Sequence, residues 1–473
     1  RSMLVFGAMG MRKNLRFTDI VFLNLVAVAS LRWTASAASN GPSSLTLWLL
    51  ATLVFFIPEG LAVAELSSRY PEEGGLYRWT QRAFGAKHGF ICGWCYWVNN
   101  LIYFPSLLMY VSGNLAFTLN RFSPEGNLEH NKLFVVAVTL ACLWLVAILS
   151  IIGMNAGKWV QNIGGFGNWI PPAIVAALGL VVYLSRGSAN LITLETLTPK
   201  FTSLDEFSFF SQMCFALAGL ELVSFLGGEV ENPRKTLTRG IFVSAILICA
   251  VYYIGTWGIL VSIPKEKISV VNGILMAIQE TSGPMGLGWL APLSGLLITL
   301  AGVGCMMAWF AGAARVPYMV GVDKFLPPNF GKLHPKFGTP YIAILVQTGV
   351  ATLFTLFATV GASTALEDAY KILVDMCLIL YFIPYCYLFL CLFALRKNAA
   401  SNSEIYEVPF GGFGKTAIAL CGFLTTVFAI LISFSPGTSI IHWEVPLKTF
   451  LGTSVMLAIG LIIYANQSQR KLE

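Results

Sequence analysis

Residues 132–153 read KLFVVAVTLACLWLVAILSIIG, an apolar run long enough to cross a bilayer as a single helix. Comparable segments recur along the whole chain, near 16–40, 44–66, 88–119, 132–153, 158–185, 205–229, 237–262, 287–318, 340–361, 366–395, 414–434 and 446–466. Lipid offers no hydrogen-bond partner, so each segment must satisfy its backbone internally, which a helix does. The expectation is an all-α membrane protein with twelve transmembrane helices. Composition agrees: 56% of the 473 residues are hydrophobic and 11% charged, whereas a soluble domain carries about 25% charged residues.

Two of these spans are interrupted near their middles by residues that suit neither lipid nor a regular helix. Ala29-Ser30-Leu31-Arg32-Trp33 breaks the first, and Ala218-Gly219-Leu220-Glu221 breaks the sixth. Discontinuous helices at matching places in two halves are how secondary transporters expose backbone groups to a small solute at the bilayer midplane. The spans group as five, five and two. Because five is odd, the second set enters the membrane from the opposite side, and residues 16–185 and 205–395 form an inverted repeat if they share a fold. The expected organisation is a tail over 1–15, a ten-helix core over 16–395, and two accessory helices with a C-terminal tail over 396–473.

An even number of spans places both termini on one side, and basic residues choose the side. With cytoplasmic termini, 21 of the 30 Lys and Arg fall in cytoplasmic loops or tails, Arg12, Lys13, Arg16, Arg69, Arg78, Arg82, Lys87, Arg234, Lys235, Arg239, Arg396 and Lys397 among them. Eight fall outside, and Arg32 lies within the membrane. The net charge of +7 is therefore topological, and no nucleic-acid partner is expected. The first span runs straight into the core without a small-residue cleavage site, so no cleaved leader is expected. All ten cysteines fall within spans, and Cys92-Gly93-Trp94-Cys95 lacks a second ligand pair, so neither disulfides nor a metal centre is expected. Pro409-Phe410-Gly411-Gly412-Phe413-Gly414-Lys415-Thr416 imitates a phosphate-binding loop, but it joins two membrane spans and lacks the preceding strand. His88, His130, His334 and His442 lie at loops or helix ends, and no nucleophile, base and orienting group converge. Neither enzymatic activity nor a cofactor is expected.

Several motifs carry a resemblance. Ala64-Glu65-Leu66-Ser67-Ser68-Arg69-Tyr70-Pro71-Glu72-Glu73-Gly74-Gly75-Leu76-Tyr77-Arg78-Trp79, followed by Ala83-Phe84-Gly85, resembles the loop after helix 2 in permeases of the amino acid, polyamine and organocation (APC) superfamily. Phe215 to Glu221 with Gly228 to Lys235 resembles that superfamily's helix 6 and following loop, and Ala314-Arg315-Val316-Pro317-Tyr318 with Leu326-Pro327 its helix 8 exit. The likeness spans nearly the whole chain and leans toward the bacterial glutamate/GABA antiporter-like branch. It implies the LeuT-type fold of ten helices in a 5+5 inverted repeat, with helices 1, 3, 6, 8 and 10 around the substrate. A bundle of helices 1, 2, 6 and 7 would rock against a scaffold. The Glu-Glu-Gly-Gly loop has its own physical sense: Pro71, Gly74 and Gly75 turn sharply before a short basic interfacial helix.

The resemblance places the substrate at Ala29, Ser30, Leu31 and Arg32 of helix 1 and at Phe215, Ala218, Gly219 and Leu220 of helix 6, with Phe215 as an aromatic lid. It makes Trp309 a helix 8 gate aromatic and Glu221 a coupling group, and Glu59 is the second candidate for coupling or gating. Relatives usually carry Gly-Ser/Ala-Gly where this chain has Ala29-Ser30-Leu31, so unwinding is expected to cost more here. Arg32, costing at least roughly 2.5–3.5 kcal/mol near the bilayer centre, should face a cavity or an acidic partner, for which Glu59 and Glu221 are the candidates. It could equally serve as a structural ion pair or capture a substrate carboxylate in a bidentate contact. Lys371 and Asp375, four apart, are expected to pair, and Tyr103, Tyr381 and Tyr385 are candidate pocket walls.

Coupling is argued from residue types. Met306 to Ala314 carries no hydroxyl to ligate a hard cation. Asn168 stands where some relatives hold a lysine in helix 5, about seven residues beyond the pair matched by Val160-Gln161. Sodium-independent exchange of amino acids or proton-linked uptake is therefore expected across a bacterial inner membrane. A polyamine or organic-cation carrier, or a non-transporting amino-acid sensor of the same fold, is the alternative.

Overall fold

The computed structural model describes residues 15–121, 128, 131–360, 366–395, 405–434 and 444–470. Arg12, Lys13, Arg396, Lys397, His130 and His442 lie outside them, and the side chain of Lys371 is also outside the description, so the expected Lys371–Asp375 pair is not addressed. Among the described residues the chain is helical, with no strand beyond one backbone bridge between Leu15 and Val230.

Helices α1 (Phe17–Val28) and α2 (Leu31–Ser39) make the first span. Helices α3 (Ser43–Ala51) and α4 (Ile57–Arg69) make the second, joined through a wider turn at Thr52–Phe56 just before Pro58. Then follow α5 (Gly75–Phe84), α6 (Ala86–Asn120), α7 (Lys132–Ile152), α8 (Met154–Arg186) and the single turn α9 (Leu194–Leu197). The sixth span is α10 (Leu204–Leu217) continued, after a break, by a tighter 3-10 segment over Leu220–Glu229. The remainder comprises α11 (Pro233–Ser262), α12 (Gly273–Ser282), α13 (Leu290–Val322), α14 (Tyr341–Val360), α15 (Leu366–Ala394), α16 (Gly411–Ile432) and α17 (Glu444–Arg470). Among the described residues, eleven helical stretches are long and apolar enough to cross a membrane, and Tyr341–Leu356 is a shorter apolar one. The protein is an integral membrane protein.

The two interrupted spans lie at the centre. In their most apolar windows 83% and 89% of residues are buried, against 17% for the span containing α17, so α1–α2 and α10 are the parts most wrapped by protein. Polar backbone is tolerated at such depth only where protein or a cavity surrounds it. The interruptions therefore sit where irregular backbone costs least.

The first break needs no glycine, contrary to expectation. Ala29 (φ −73°, ψ 63°) and Ser30 (φ −76°, ψ 116°) leave the helical region at negative φ, which any L-residue can adopt. The anticipated extra cost therefore does not arise. The second break does need one: Gly219 has φ +141°, and a Cβ there would stand 2.8 Å from Val28 Cγ2 and 3.1 Å from the Trp309 ring. That close approach is what lets the two breaks touch. After α4 the chain turns through Gly74 (φ +96°) and Gly75 (φ +38°), where a Cβ would lie 2.1 Å from Ser224 Oγ. Glycine at 75 thus seats α5 directly on the 3-10 segment.

Candidate transport site at the helix breaks

A helix that stops inside the membrane leaves main-chain groups unpaired. Here side chains from four other helices supply most of the partners. Trp309 Nε1 on α13 donates to Ala27 O at 2.8 Å, and Asn168 Nδ2 on α8 donates to Leu25 O at 3.3 Å. The hydroxyl of Tyr252 on α11 lies 2.5 Å from Val28 O and 2.8 Å from Ala216 O, so one phenol ties the end of α1 to the end of α10. Past the second break, the N–H groups of Gly219 and Leu220 donate to Glu59 Oε1 at 3.0 and 2.8 Å. An internal carboxyl from α4 thus occupies the N-terminal end of the 3-10 segment, a position that favours negative charge.

Between the breaks is a small cavity of about 20 Å3. Its walls are Ala27 and Val28 of α1, Trp33 of α2, Asn99, Asn100 and Tyr103 of α6, Phe215 and Ala216 of α10 with Ala218 just beyond, Trp309 of α13 and Tyr381 of α15. The aromatic rings brace one another: Phe215 meets Trp33 edge-on at 5.9 Å and Tyr381 edge-on at 5.6 Å, while Tyr103 and Trp309 are 6.2 Å apart. Asn99 Oδ1 and Asn100 Oδ1 are buried without a hydrogen-bond donor. The cavity therefore combines apolar walls with unmet acceptors, a combination suited to a ligand that brings N–H groups.

Of the candidate substrate residues, Phe215, Ala218 and Trp309 line this cavity. Ser30 and Leu31 instead line a smaller neighbouring one together with Asn168 and Cys305. Ala29, Gly219 and Leu220 are buried but wall neither space. Tyr103 and Tyr381 stand in the wall, whereas Tyr385 lies behind it. Trp33, noted in sequence only as the end of the first interruption, joins the wall, and Asn99 and Asn100 are additions that the sequence reading lacks, although two adjacent amides within an apolar span are a visible signal.

Arg32 does not pair with either carboxylate proposed for it. Its Nη1 donates to Ser106 Oγ at 3.1 Å, and its guanidinium lies over the rings of Trp33 (4.5 Å) and Tyr103 (5.0 Å). The physical reason is that both carboxyls are already engaged elsewhere. Glu221 Oε1 accepts from Tyr96 at 3.0 Å and Tyr381 at 2.7 Å, and its Oε2 makes a short hydrogen bond with Tyr385. Glu59 is held by the two N–H groups and by Tyr385 at 2.9 Å. Three tyrosines, rather than the arginine, serve the acidic pair.

At the far end of the 3-10 segment the chain is clamped from several sides. Arg315 Nε of α13 donates to Glu229 Oε1 at 2.7 Å, and Leu15 pairs by backbone with Glu229 O (3.0 Å) and Glu231 N (2.9 Å). Glu73, in the loop between α4 and α5, packs beside this pair. Burial pushes its carboxyl up to about 7, with Arg315 and Arg78 opposing and Glu229 reinforcing the shift.

Comparison with known proteins decides the family. A sequence profile described as amino acid permease matches residues 3–460. The chain belongs to the amino acid permease family. As a permease it is a transporter and not an enzyme. Among its relatives, an uncharacterised transporter of Legionella pneumophila is 29% identical over 96% of this chain and 95% of its own length. A probable agmatine/putrescine antiporter of Lactococcus lactis is 28% identical, covering 91% of this chain and 88% of the relative. A glutamate/gamma-aminobutyrate antiporter of the same species is 24% identical over 83% and 78%.

Proposed function

We propose that this permease exchanges amino acids across a bacterial inner membrane by alternating access, without sodium, with both termini cytoplasmic. The observation that carries the reading is the Tyr252 hydroxyl bridging Val28 O and Ala216 O, which fixes two broken helices edge to edge beside one cavity. In this reading twelve helices span the membrane, and residues 16–185 and 205–395 are the halves of a LeuT-type inverted repeat. Helix α2, whose N-terminus has no side-chain cap, offers N–H groups and the nearby Arg32 to a substrate carboxylate. Asn99, Asn100 and the carbonyl ends of α1 and α10 offer acceptors to its ammonium group. Phe215 closes over the solute, Trp309 holds the end of α1, and Glu59 and Glu221 couple occupancy to the helix break.

A second reading, exchange of amines lacking a carboxylate, is favoured by one observation. The anion-binding end of the 3-10 segment is already filled by Glu59, and the unmet side-chain oxygens of the cavity wall are acceptors. Counterflow separates the readings. Purified protein is placed in liposomes preloaded with each of the twenty amino acids, agmatine or putrescine, and uptake of the same labelled compound is followed. Trans-stimulated uptake of amino acids supports the first reading and of amines alone the second, whereas binding without flux points to a sensor and contradicts both.

A further inference from the structure

Glu59 and Glu221 are both fully buried, and the hydroxyl of Tyr385 contacts them both. A phenol has one hydrogen to donate. Glu59 Oε1 already accepts two main-chain N–H groups, which can only donate, so that oxygen acts as an acceptor. The Tyr385 hydrogen therefore goes to Glu59 Oε1. With that hydrogen committed, the contact between Tyr385 and Glu221 Oε2 is satisfied when Glu221 carries a hydrogen. Its other oxygen is consistent with this assignment, because it accepts from Tyr96 and Tyr381.

We infer that Glu221, Tyr385 and Glu59 form a proton-holding relay, in which one proton is shared by two carboxyls and Glu59 is the terminus set against the helix break. The transfer is balanced. The Glu221 O–H bond breaks as the Tyr385 oxygen gains that proton, and the hydrogen Tyr385 held passes to Glu59 Oε1. Tyrosine is regenerated, Glu221 becomes a carboxylate and Glu59 becomes neutral. A proton arriving on Oε1 competes with the N–H groups of Gly219 and Leu220 for the same oxygen, so transfer loosens the cap on the second break. Glu59 Oε2 has no hydrogen-bond partner, which leaves the carboxyl free to turn as this happens.

The other titratable groups facing the pair are Tyr96 and Cys92 of α6, Tyr381 of α15 and Cys214 of α10, none of them cationic. No Arg, Lys or His of the described residues forms an ion pair with either carboxyl. The proton is thus the charge-balancing group at this site.

The inference deepens the coupling half of the proposed function, but its test involves no solute, so either can fail while the other stands. Infrared difference spectra of the purified protein, titrated from about pH 6 to 8, report the C=O stretch of a protonated carboxyl. In a Glu73→Gln parent, chosen because Glu73 is itself pushed up to about 7, the relay predicts one such band, lost when Glu221→Gln is added and lost also with Glu59→Gln, because with one carboxyl neutralised the remaining one no longer needs the proton. Y385F should move the parental band, since its short hydrogen bond is gone. The amide introduced by E59Q keeps an acceptor oxygen for the helix cap, and thermal melting checks that each variant is folded. No band in the parent, two bands, a band that survives E59Q unchanged, or one unmoved by Y385F would overturn the inference.

Discussion

Arg32 shows what a single residue in this chain reveals and conceals. Its charge within an apolar span marks it in the sequence, yet its surroundings do not follow from the sequence, because Trp33, Tyr103 and Ser106 become its neighbours only after α2 and α6 pack together. Guanidinium over aromatic faces is attractive and tolerates burial. It also leaves Arg32 directly behind two walls of the cavity. Arg32→Ala should weaken carboxylated ligands about tenfold or more, the scale of one lost charged hydrogen bond. Amines without a carboxylate should be unaffected, as read by competition binding on protein with an unchanged melting temperature. Glu221 was likewise legible as an intramembrane charge. Its tyrosine partners were not, since they come from α6 and α15, far apart in the chain. Glu73 gives a second prediction. Its carboxyl is raised to about 7 in the folded protein, so the native state binds this proton more tightly than the unfolded chain does. That contribution is fully present below the ordinary carboxyl range and is lost as pH rises through about 7. The melting temperature should accordingly fall by a few degrees between pH 6 and pH 8, and Glu73→Gln should flatten the slope; an identical slope in the variant would exclude Glu73 as its source.

Single elements repeat the pattern. The two interruptions were legible because a polar or glycine-bearing stretch inside an apolar run has few other meanings. Their backbone geometry was not, because propensity alone assigns the missing glycines of the first break a cost that negative φ at Ala29 and Ser30 avoids. The second break depends on Gly219 both for its φ of +141° and for the approach of Val28. Gly219→Ala should therefore cost about 1–3 kcal/mol in strain and close contact, lowering the melting temperature and reducing counterflow more than equilibrium binding. Full flux in this variant would mean that contact between the breaks is dispensable. The look-alike phosphate loop resolves at this scale too: Lys415 Nζ lies 2.9 Å from Glu65, which also holds Arg69 at 2.8 Å, so the lysine ties the start of α16 to the end of α4. Sequence context excluded a nucleotide site, but only the packing showed what the lysine holds.

For the whole molecule, the order of the apolar helices could be read to within a few residues, since lipid leaves a chain so few ways to satisfy its backbone, although eleven of the twelve expected spans are long and apolar enough to cross among the described residues. What no linear pattern displays is which spans enclose the others. The interrupted spans are the innermost and α17 is among the least enclosed, an arrangement that puts the irregular backbone beside a space where a solute could meet it. The cavity wall draws on six helices, each adding between one and three residues. The central claim is that both breaks border a single solute site, and a structure determined with the amino acid or amine giving the strongest counterflow tests it most directly. The account predicts ligand density bounded by Ala27 and Val28 on one side and by Phe215, Ala216 and Ala218 on the other; density elsewhere, with the space between the breaks empty, would contradict it.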